Sequence, residues 1–597
     1  MVLGAESSLT AQRHTAVGTD ARRPPFHIWL VKPTRYDDDG YPLQWWRSII
    51  PSNSLACLTG IIEDALARGV LADREVRIEV VDEIHSKVDA AKIARSIRRA
   101  GGGFVGLVGV QSNQFPRALD LARDFRSGGV QVAIGGFHVS GCLSMLKAMP
   151  PELVEAQDLG VSFFAGEAEE GRIDEVLVDA ANGAMKPVYN WLGKTPHLEG
   201  APLPLLPKAQ VDRNINRYAS FDLGRGCPFE CSFCTIINVQ GRKSRFRTPD
   251  DLEAIIRANA AQGVSRFFLT DDNFARNRHW EPLLDRLIAL QDEGLGVRMA
   301  IQVDTLAHRI DGFIDKCVAA GADQIFIGLE NINPDNLEAA KKRQNRVEEY
   351  REMFLAWKRH PVVITCGYII GFPNDSYASV MHDIEMLKEE LPVDTLYLNY
   401  LTPLPGSEDH RRLVDTGAWM DPDLNKYDLN HRVTHHPTMS DEEWERAYRD
   451  AHRSFYSWDH MERILRRMAA LGSNKKKTTV NRLLAYREAV RLEGVAKLES
   501  GYVRIKRRTQ RRPGLPRENV FAFWTGYGAH LVHALGGSLA TYARLYRMMR
   551  RIVTDPDRFA YRDRAISADT GDGASPLIAD TRATDHSQRR TARAKAA

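Results

Sequence analysis

Cys227-Pro228-Phe229-Glu230-Cys231-Ser232-Phe233-Cys234 sets three thiols within eight residues, and the reading of this stretch decides the fold. The chain has only seven cysteines in 597 residues, so such crowding departs from ordinary composition. Gaps of three and then two residues, with Gly224, Gly226 and Pro228 bending the backbone, let several sulfurs converge on one inorganic centre. A zinc site, a disulfide and buried structural thiols are the competing readings. Structural zinc wants a second Cys or His pair at finger spacing, and none stands nearby in the sequence. An odd cysteine count with no secretory signal pattern favours a reducing cytoplasm over a disulfide framework. Cys57, Cys142, Cys317 and Cys366 lie scattered in apolar stretches and read as small core residues.

Downstream of the loop, Thr248-Pro249-Asp250-Asp251 reads as an N-cap, a first-turn proline and an acid three residues beyond the cap. A helix is expected there, with Leu252, Ile255 and Ile256 on its apolar face and Gly263 beyond its end. Strand-like runs follow at 265–269, 297–303, 324–330, 363–370 and 395–401, alternating with helical patterns. Such alternation requires a parallel sheet, whose binding residues gather at the strand carboxyl ends. Four ends are unusual: Thr270-Asp271-Asp272-Asn273, Gln302-Val303-Asp304, Gly328-Leu329-Glu330-Asn331, and the glycine-bearing run Gly367 to Pro373. Each alone is ambiguous, since Asp272 and Asn273 could cap a helix and Glu330 could be a solvated strand end. Their order on successive units gives them weight.

Cys227-x-x-x-Cys231-x-x-Cys234, with Phe233 before the last cysteine, resembles the signature loop of radical S-adenosylmethionine enzymes. The resemblance implies a 4Fe-4S cluster on Cys227, Cys231 and Cys234. Its open iron binds S-adenosylmethionine, which is cleaved by electron transfer to a 5′-deoxyadenosyl radical. It also implies contacts to S-adenosylmethionine from Phe233, Asp272, Asn273, Gln302, Glu330, Gly367 and Gly371, and an external electron donor such as flavodoxin or ferredoxin. Leu401-Thr402-Pro403-Leu404-Pro405-Gly406 is similar to the end segment of cobalamin-associated members.

A second α/β pattern precedes the barrel, with strands near 26–31, 76–81, 104–110, 130–135 and 161–165. It reads as a doubly wound, Rossmann-like module that binds ligands at its strand carboxyl ends. By fold alone it suits a nucleotide, a flavin or no ligand. Its position ahead of the cluster barrel resembles the cobalamin-binding domain of cobalamin-dependent radical enzymes, a likeness spanning roughly 26–410. The resemblance implies cobalamin contacts from Ser112, Gln114, Gly135, Gly136, His138, Gly166 and Glu167. The loop Lys32 to Gly40 lacks Asp-x-His-x-x-Gly, so no lower axial histidine is expected.

The expected architecture is α/β: a disordered leader 1–24, a cobalamin-binding Rossmann-like domain 25–183, a proline-bearing linker 184–220, a partial (βα)6 radical barrel 221–439, a helical C-terminal domain 440–564 and a disordered tail 565–597. Positive charge concentrates in Lys475-Lys476-Lys477 and in Arg504 to Arg512, clusters that attract nucleic acid or anionic lipid. Val520 to Ala543 contains no Asp, Glu, Lys or Arg and reads as a packed helix or as one lying on a bilayer surface. The implied activity is methylation of an unactivated carbon of a hydrophobic small molecule. An anaerobic tetrapyrrole cyclase and a non-catalytic cobalamin or redox sensor are the alternatives. The expected location is cytoplasmic, with peripheral contact at the inner membrane surface. Nucleic acid is not the expected partner, because a tRNA methylthiotransferase needs a further three-cysteine domain and a β-rich end, and neither is visible.

Overall fold

The computed structural model describes residues 11–14 and 23–567. Most of the leader read over 1–24 and most of the tail read over 565–597 lie outside the described residues. Two pieces do not fit those readings. Ala11–His14 is a strand on the edge of the first sheet, and Ala565 is fully buried. Neither is signalled by composition, since an edge strand takes its hydrogen bonds from its neighbour.

The first sheet runs Ala11–His14, Val76–Asp82, Phe26–Lys32, Gly103–Leu107, Gln131–Gly135, Ser162–Ala165, Val188–Asn190, parallel except at the first pair. Ile28 and Leu30 face helix Asn53–Ala67, while Trp29 and Val31 face helices Ala90–Ala100 and Phe115–Ser127, the two-fold alternation of a strand covered on both sides. From Phe26–Lys32 the chain first adds Val76–Asp82 on one side and then Gly103–Leu107 on the other. That reversal is the topological switch point, where a crevice opens beyond the strand ends.

The second sheet has six parallel strands in chain order: Tyr218–Phe221, Arg266–Leu269, Arg298–Val303, Ala322–Glu330, Val363–Ile370 and Thr395–Tyr400. The capping box forms as its residues indicate. Thr248 Oγ1 accepts from the Asp251 N–H at 3.1 Å, and the Asp251 carboxylate accepts from the Thr248 N–H at 2.8 Å, starting helix Pro249–Ala261. One apolar core runs continuously from this barrel into the Leu30 face of the first sheet.

The linker reading of 184–220 is corrected: this segment supplies an edge strand to each sheet, Val188–Asn190 to the first and Tyr218–Phe221 to the second. Both are too short to show a period, and pairing alone makes them strands. The C-terminal region is likewise less separate than its helical pattern suggests. Gly501–Ile505 pairs antiparallel with Gln44–Ser48 of the first module. The basic run beside it is engaged internally, with Arg504 on Asp37 at 2.7 Å, Lys506 on Asp39 at 2.6 Å and Arg512 on Asp423 at 2.8 Å. These pairs engage Arg504, Lys506 and Arg512 within the fold.

Candidate functional site

The cysteine loop leaves the barrel beyond Tyr218–Phe221, and a two-stranded hairpin, Gly224–Arg225 against Arg245–Phe246, closes its neck. Gly226 has φ +89°, and its N–H donates to Asp272 Oδ2 at 2.8 Å; a side chain there would meet the Lys243 carbonyl at 2.7 Å. The tip is pinned from the barrel's far side. Ser232 N–H donates to the Ala340 carbonyl at 3.0 Å, and Ser232 Oγ donates to Asp409 at 3.1 Å. Gln344 Nε2 reaches Cys231 Sγ at 3.5 Å.

All three cysteines are free, with Cys231 buried. Burial pushes the Cys227 thiol up to about 11, with Asp272 and Cys231 adding to it, and the Cys234 thiol up to about 12. A bound metal ion would displace these protons, because it takes thiolates as ligands. A positive counterpart lies beside them. Burial works against the Lys342 ammonium, but Glu330, at 2.6 Å, and Cys231 outweigh it, so Lys342 is held above the ordinary lysine range.

The residues read as S-adenosylmethionine contacts fall into two neighbouring groups at the strand carboxyl ends. In one, Phe233 meets Phe372 edge-on at 6.4 Å under the Lys342 ammonium, and a side chain at Gly367 would touch Glu330 Oε2 at 3.5 Å. Glu330 itself stands at φ +63° at a register shift, a backbone position that non-glycine residues avoid and that often marks functional sites. Gly371 has φ +111°, and any side chain there would run into the Trp444 ring at 2.1 Å. In the other group, Asn273 Nδ2 donates to Asp304 at 2.8 Å, Gln302 Nε2 donates to the Asp271 carbonyl at 3.4 Å, and Asp272 holds the loop's neck. Asn273 Oδ1 and Asn399 Oδ1 are buried without a hydrogen-bond partner, as expected where a polar ligand completes the set. Lys342, Gln344, Asn399, Asp409 and Trp444 escape the sequence reading, because tertiary packing alone carries them to the loop.

The first sheet contributes a separate apolar cavity of ≈ 200 Å³ at its switch point. Leu30 and Leu58 line it with Gly135, Gly136 and Gly166, and Arg225, Val239 and Gln240 from around the cysteine loop line it too. Small-molecule pockets usually hold roughly 300–1,000 Å³, so this one fits a flat side group of a large cofactor, not a whole corrinoid. Gly136 has φ +145° and leaves no room for a side chain, whose first atom would stand 2.2 Å from the Val110 nitrogen.

Glu167 lines the cavity, but its carboxylate is taken by Arg225 at 2.7 Å and Arg245 at 2.6 Å. Arg225 also binds Glu169 at 2.7 Å and Asp222 at 3.0 Å. Burial alone would raise the Asp222 carboxyl, yet Arg225 and Arg247 together hold it well below the carboxylate range. Ser112, Gln114 and His138 do not line the cavity. Gln114 accepts from Lys32, and the His138 ring turns to Ser112 Oγ at 3.1 Å.

A three-cysteine loop beyond the first strand of a six-stranded parallel sheet, behind a doubly wound module, defines the arrangement. Residues 222–387 match the model of the Radical SAM superfamily. The chain is 26% identical over 390 residues to the bacteriochlorophyllide d C-8(2)-methyltransferase of Chlorobaculum tepidum, covering 62% of this chain and 80% of that protein. It is 28% identical over 332 residues to the C-12(1)-methyltransferase of the same organism, covering 53% and 68%. Its fold is like that of the radical S-adenosylmethionine methyltransferase TsrM from Kitasatospora setae, solved with cobalamin and a 4Fe-4S cluster (TM-score 0.50, 14% identity, 86% of this chain and 99% of that one).

Proposed function

We propose that this chain is a radical S-adenosylmethionine methyltransferase that uses a 4Fe-4S cluster and cobalamin to methylate an unactivated carbon of a hydrophobic small molecule. The observation that carries this reading is the shared wall: Arg225, Val239 and Gln240, which flank the cysteine loop, also close the cavity of the first sheet. When bound, the cluster with S-adenosylmethionine supplies one-electron chemistry and hydrogen abstraction, and cobalamin supplies a transferable methyl group. The chain's own part is placement. Cys227, Cys231 and Cys234 offer three ligands, Lys342 balances their charge, and the Phe233–Phe372 pair shields the loop from water. Gly371 and Glu330 bring the neighbouring backbone close. Asn273 Oδ1 and Asn399 Oδ1 offer acceptors to an ammonium or hydroxyl. Gly135, Gly136 and Gly166 open the cavity to a cofactor side group.

The test is anaerobic reconstitution with iron, sulfide, cobalamin and a reductant, followed by assay for 5′-deoxyadenosine and S-adenosylhomocysteine. Both products mark methylation; deoxyadenosine alone marks the cyclase reading, and neither marks a sensor. Leu58→Trp fills the cavity from helix Asn53–Ala67 and should lower cobalamin uptake with iron content unchanged. Equal cobalamin content in this variant would remove the cavity from the cofactor's site.

The two bacteriochlorophyllide methyltransferases support a tetrapyrrole or similarly apolar substrate, and one helix supports reaching it at a bilayer. Val520–Thr554 buries Phe523, Ala534, Leu545 and Met549 but exposes Phe521 (83%), Trp524 (60%), Val532 (75%) and Leu539 (68%). The packed-helix reading therefore holds for one face only. Among the described residues no helix is long and apolar enough to cross a membrane. An uncharged, aromatic-bearing face followed by exposed Arg547 and Arg550 suits the surface of an anionic bilayer. Phe521→Ser with Trp524→Ser should weaken co-sedimentation with anionic vesicles at least about tenfold, since burying each side chain is worth ~1.5–3 kcal/mol. Unchanged sedimentation would exclude this face.

A further inference from the structure

Helix Phe137–Met145 carries a cluster that the radical chemistry leaves unused. His138 and Cys142 stand four residues apart, on one face of the helix, and Glu152 comes from the first turn of helix Pro151–Asp158. One ring nitrogen of His138, Cys142 Sγ and one Glu152 oxygen all lie within 4.8 Å of one another. His138 is fully buried and Cys142 is 2% exposed. His138 Nδ1 is occupied by Ser112 Oγ at 3.1 Å. His138 Nε2, on the opposite side of the ring, faces Glu152 Oε1 at 3.4 Å but makes no hydrogen bond. A buried ring nitrogen left this way, with its partner nitrogen fixed from behind, is the arrangement by which proteins orient a metal-binding imidazole.

His410, in helix Glu408–Thr416, is buried, interacts electrostatically with both His138 and Glu152, and has its own Nδ1 without a partner. Helix Phe137–Met145 touches the segment that precedes Glu408–Thr416, because a side chain at Gly141 would meet the Pro405 carbonyl at 2.4 Å.

We propose that His138, Cys142 and Glu152 bind a zinc ion that ties helix Phe137–Met145 to helix Pro151–Asp158. One sulfur, one imidazole and one carboxylate make a mixed ligand set of the kind zinc takes, while magnesium and calcium prefer oxygen alone. The proposal does not depend on the methyltransferase reading.

Its test uses the full-length protein purified without added metal, then given zinc chloride alone and passed through a desalting column. To keep the cluster loop out of the measurement, the background carries Cys227→Ala, Cys231→Ala and Cys234→Ala. About one zinc per chain is expected in that background, falling to about one-tenth when Cys142→Ser or Glu152→Gln is added. Glu152 is only partly buried, so its replacement by glutamine keeps the fold and serves if Cys142→Ser does not. X-ray absorption at the zinc edge should show a single sulfur among nitrogen and oxygen ligands. Zinc content unchanged by both variants, no zinc bound in the background, or a shell without sulfur would each overturn the site.

Discussion

The Cys231→Ala variant is expected to lose the visible absorbance of the reconstituted cluster and to form no 5′-deoxyadenosine above the level of iron-free protein. Ligand supply is the reason. Three thiolates from one loop leave a single open iron, and removing one leaves two, too few to hold the cluster against chelators. No other cysteine can take its place. Cys317 and Cys366 are fully buried in the barrel core, Cys57 sits against Asp222, and Cys142 belongs to the His138 cluster. Gln344, which points at Cys231 Sγ, offers no anionic donor. Alanine at this position leaves the Cys231 carbonyl free to accept from the Cys234 N–H, so the variant should keep its circular dichroism and its urea midpoint. Retained absorbance with retained turnover would show that the cysteine loop does not hold the cluster.

Arg225→Met should cost about 3–5 kcal/mol of stability, because it strips the central cation from a buried network and leaves carboxylates uncompensated. Arg225 reaches Asp222, Glu167 and Glu169 at 2.7–3.0 Å. After the substitution Arg245 still pairs with Glu167, and Arg247 lies 3.9 Å from Asp222, while Glu169 loses its 2.7 Å partner. Arg225→Lys should recover only part of the loss, since an ammonium cannot fork between three carboxylates. The same residue borders the cavity and precedes Gly226 and Cys227, so cobalamin and iron content should fall together. The measurement is a urea unfolding midpoint with metal and cobalamin analysis on the same preparation. A midpoint within experimental error of the parent would mean that the network does not join the two modules.

How much of this was legible before folding varies element by element. Val363–Ile370 is a run of apolar and small residues buried on both faces, so it is readable from hydropathy alone. The helix at Pro249 announces itself because a capping box is local chemistry. Tyr218–Phe221 is not readable: four residues carry no period, and only the register with Arg266–Leu269 makes them a strand. Likewise Asp37 and Arg504 are ordinary charged residues until the pairing of Gly501–Ile505 with Gln44–Ser48 brings them to 2.7 Å.

The same division runs through the site. Cysteine spacing, strand-end glycines and the alternation of periods are properties of neighbours along the chain, so they place the cluster loop, the two α/β modules and their order. What covers the loop depends on groups far apart in sequence: Lys342 and Gln344 from beyond the fourth barrel strand, Asp409 from the last helix of the barrel, Trp444 from the C-terminal region. The orientation of His138 belongs to this second kind, since a histidine in a glycine turn reads as a pocket residue until packing aims its ring at Cys142 and Glu152. Local bonding rules are written residue by residue, whereas burial and ion pairing exist only once distant segments share a core.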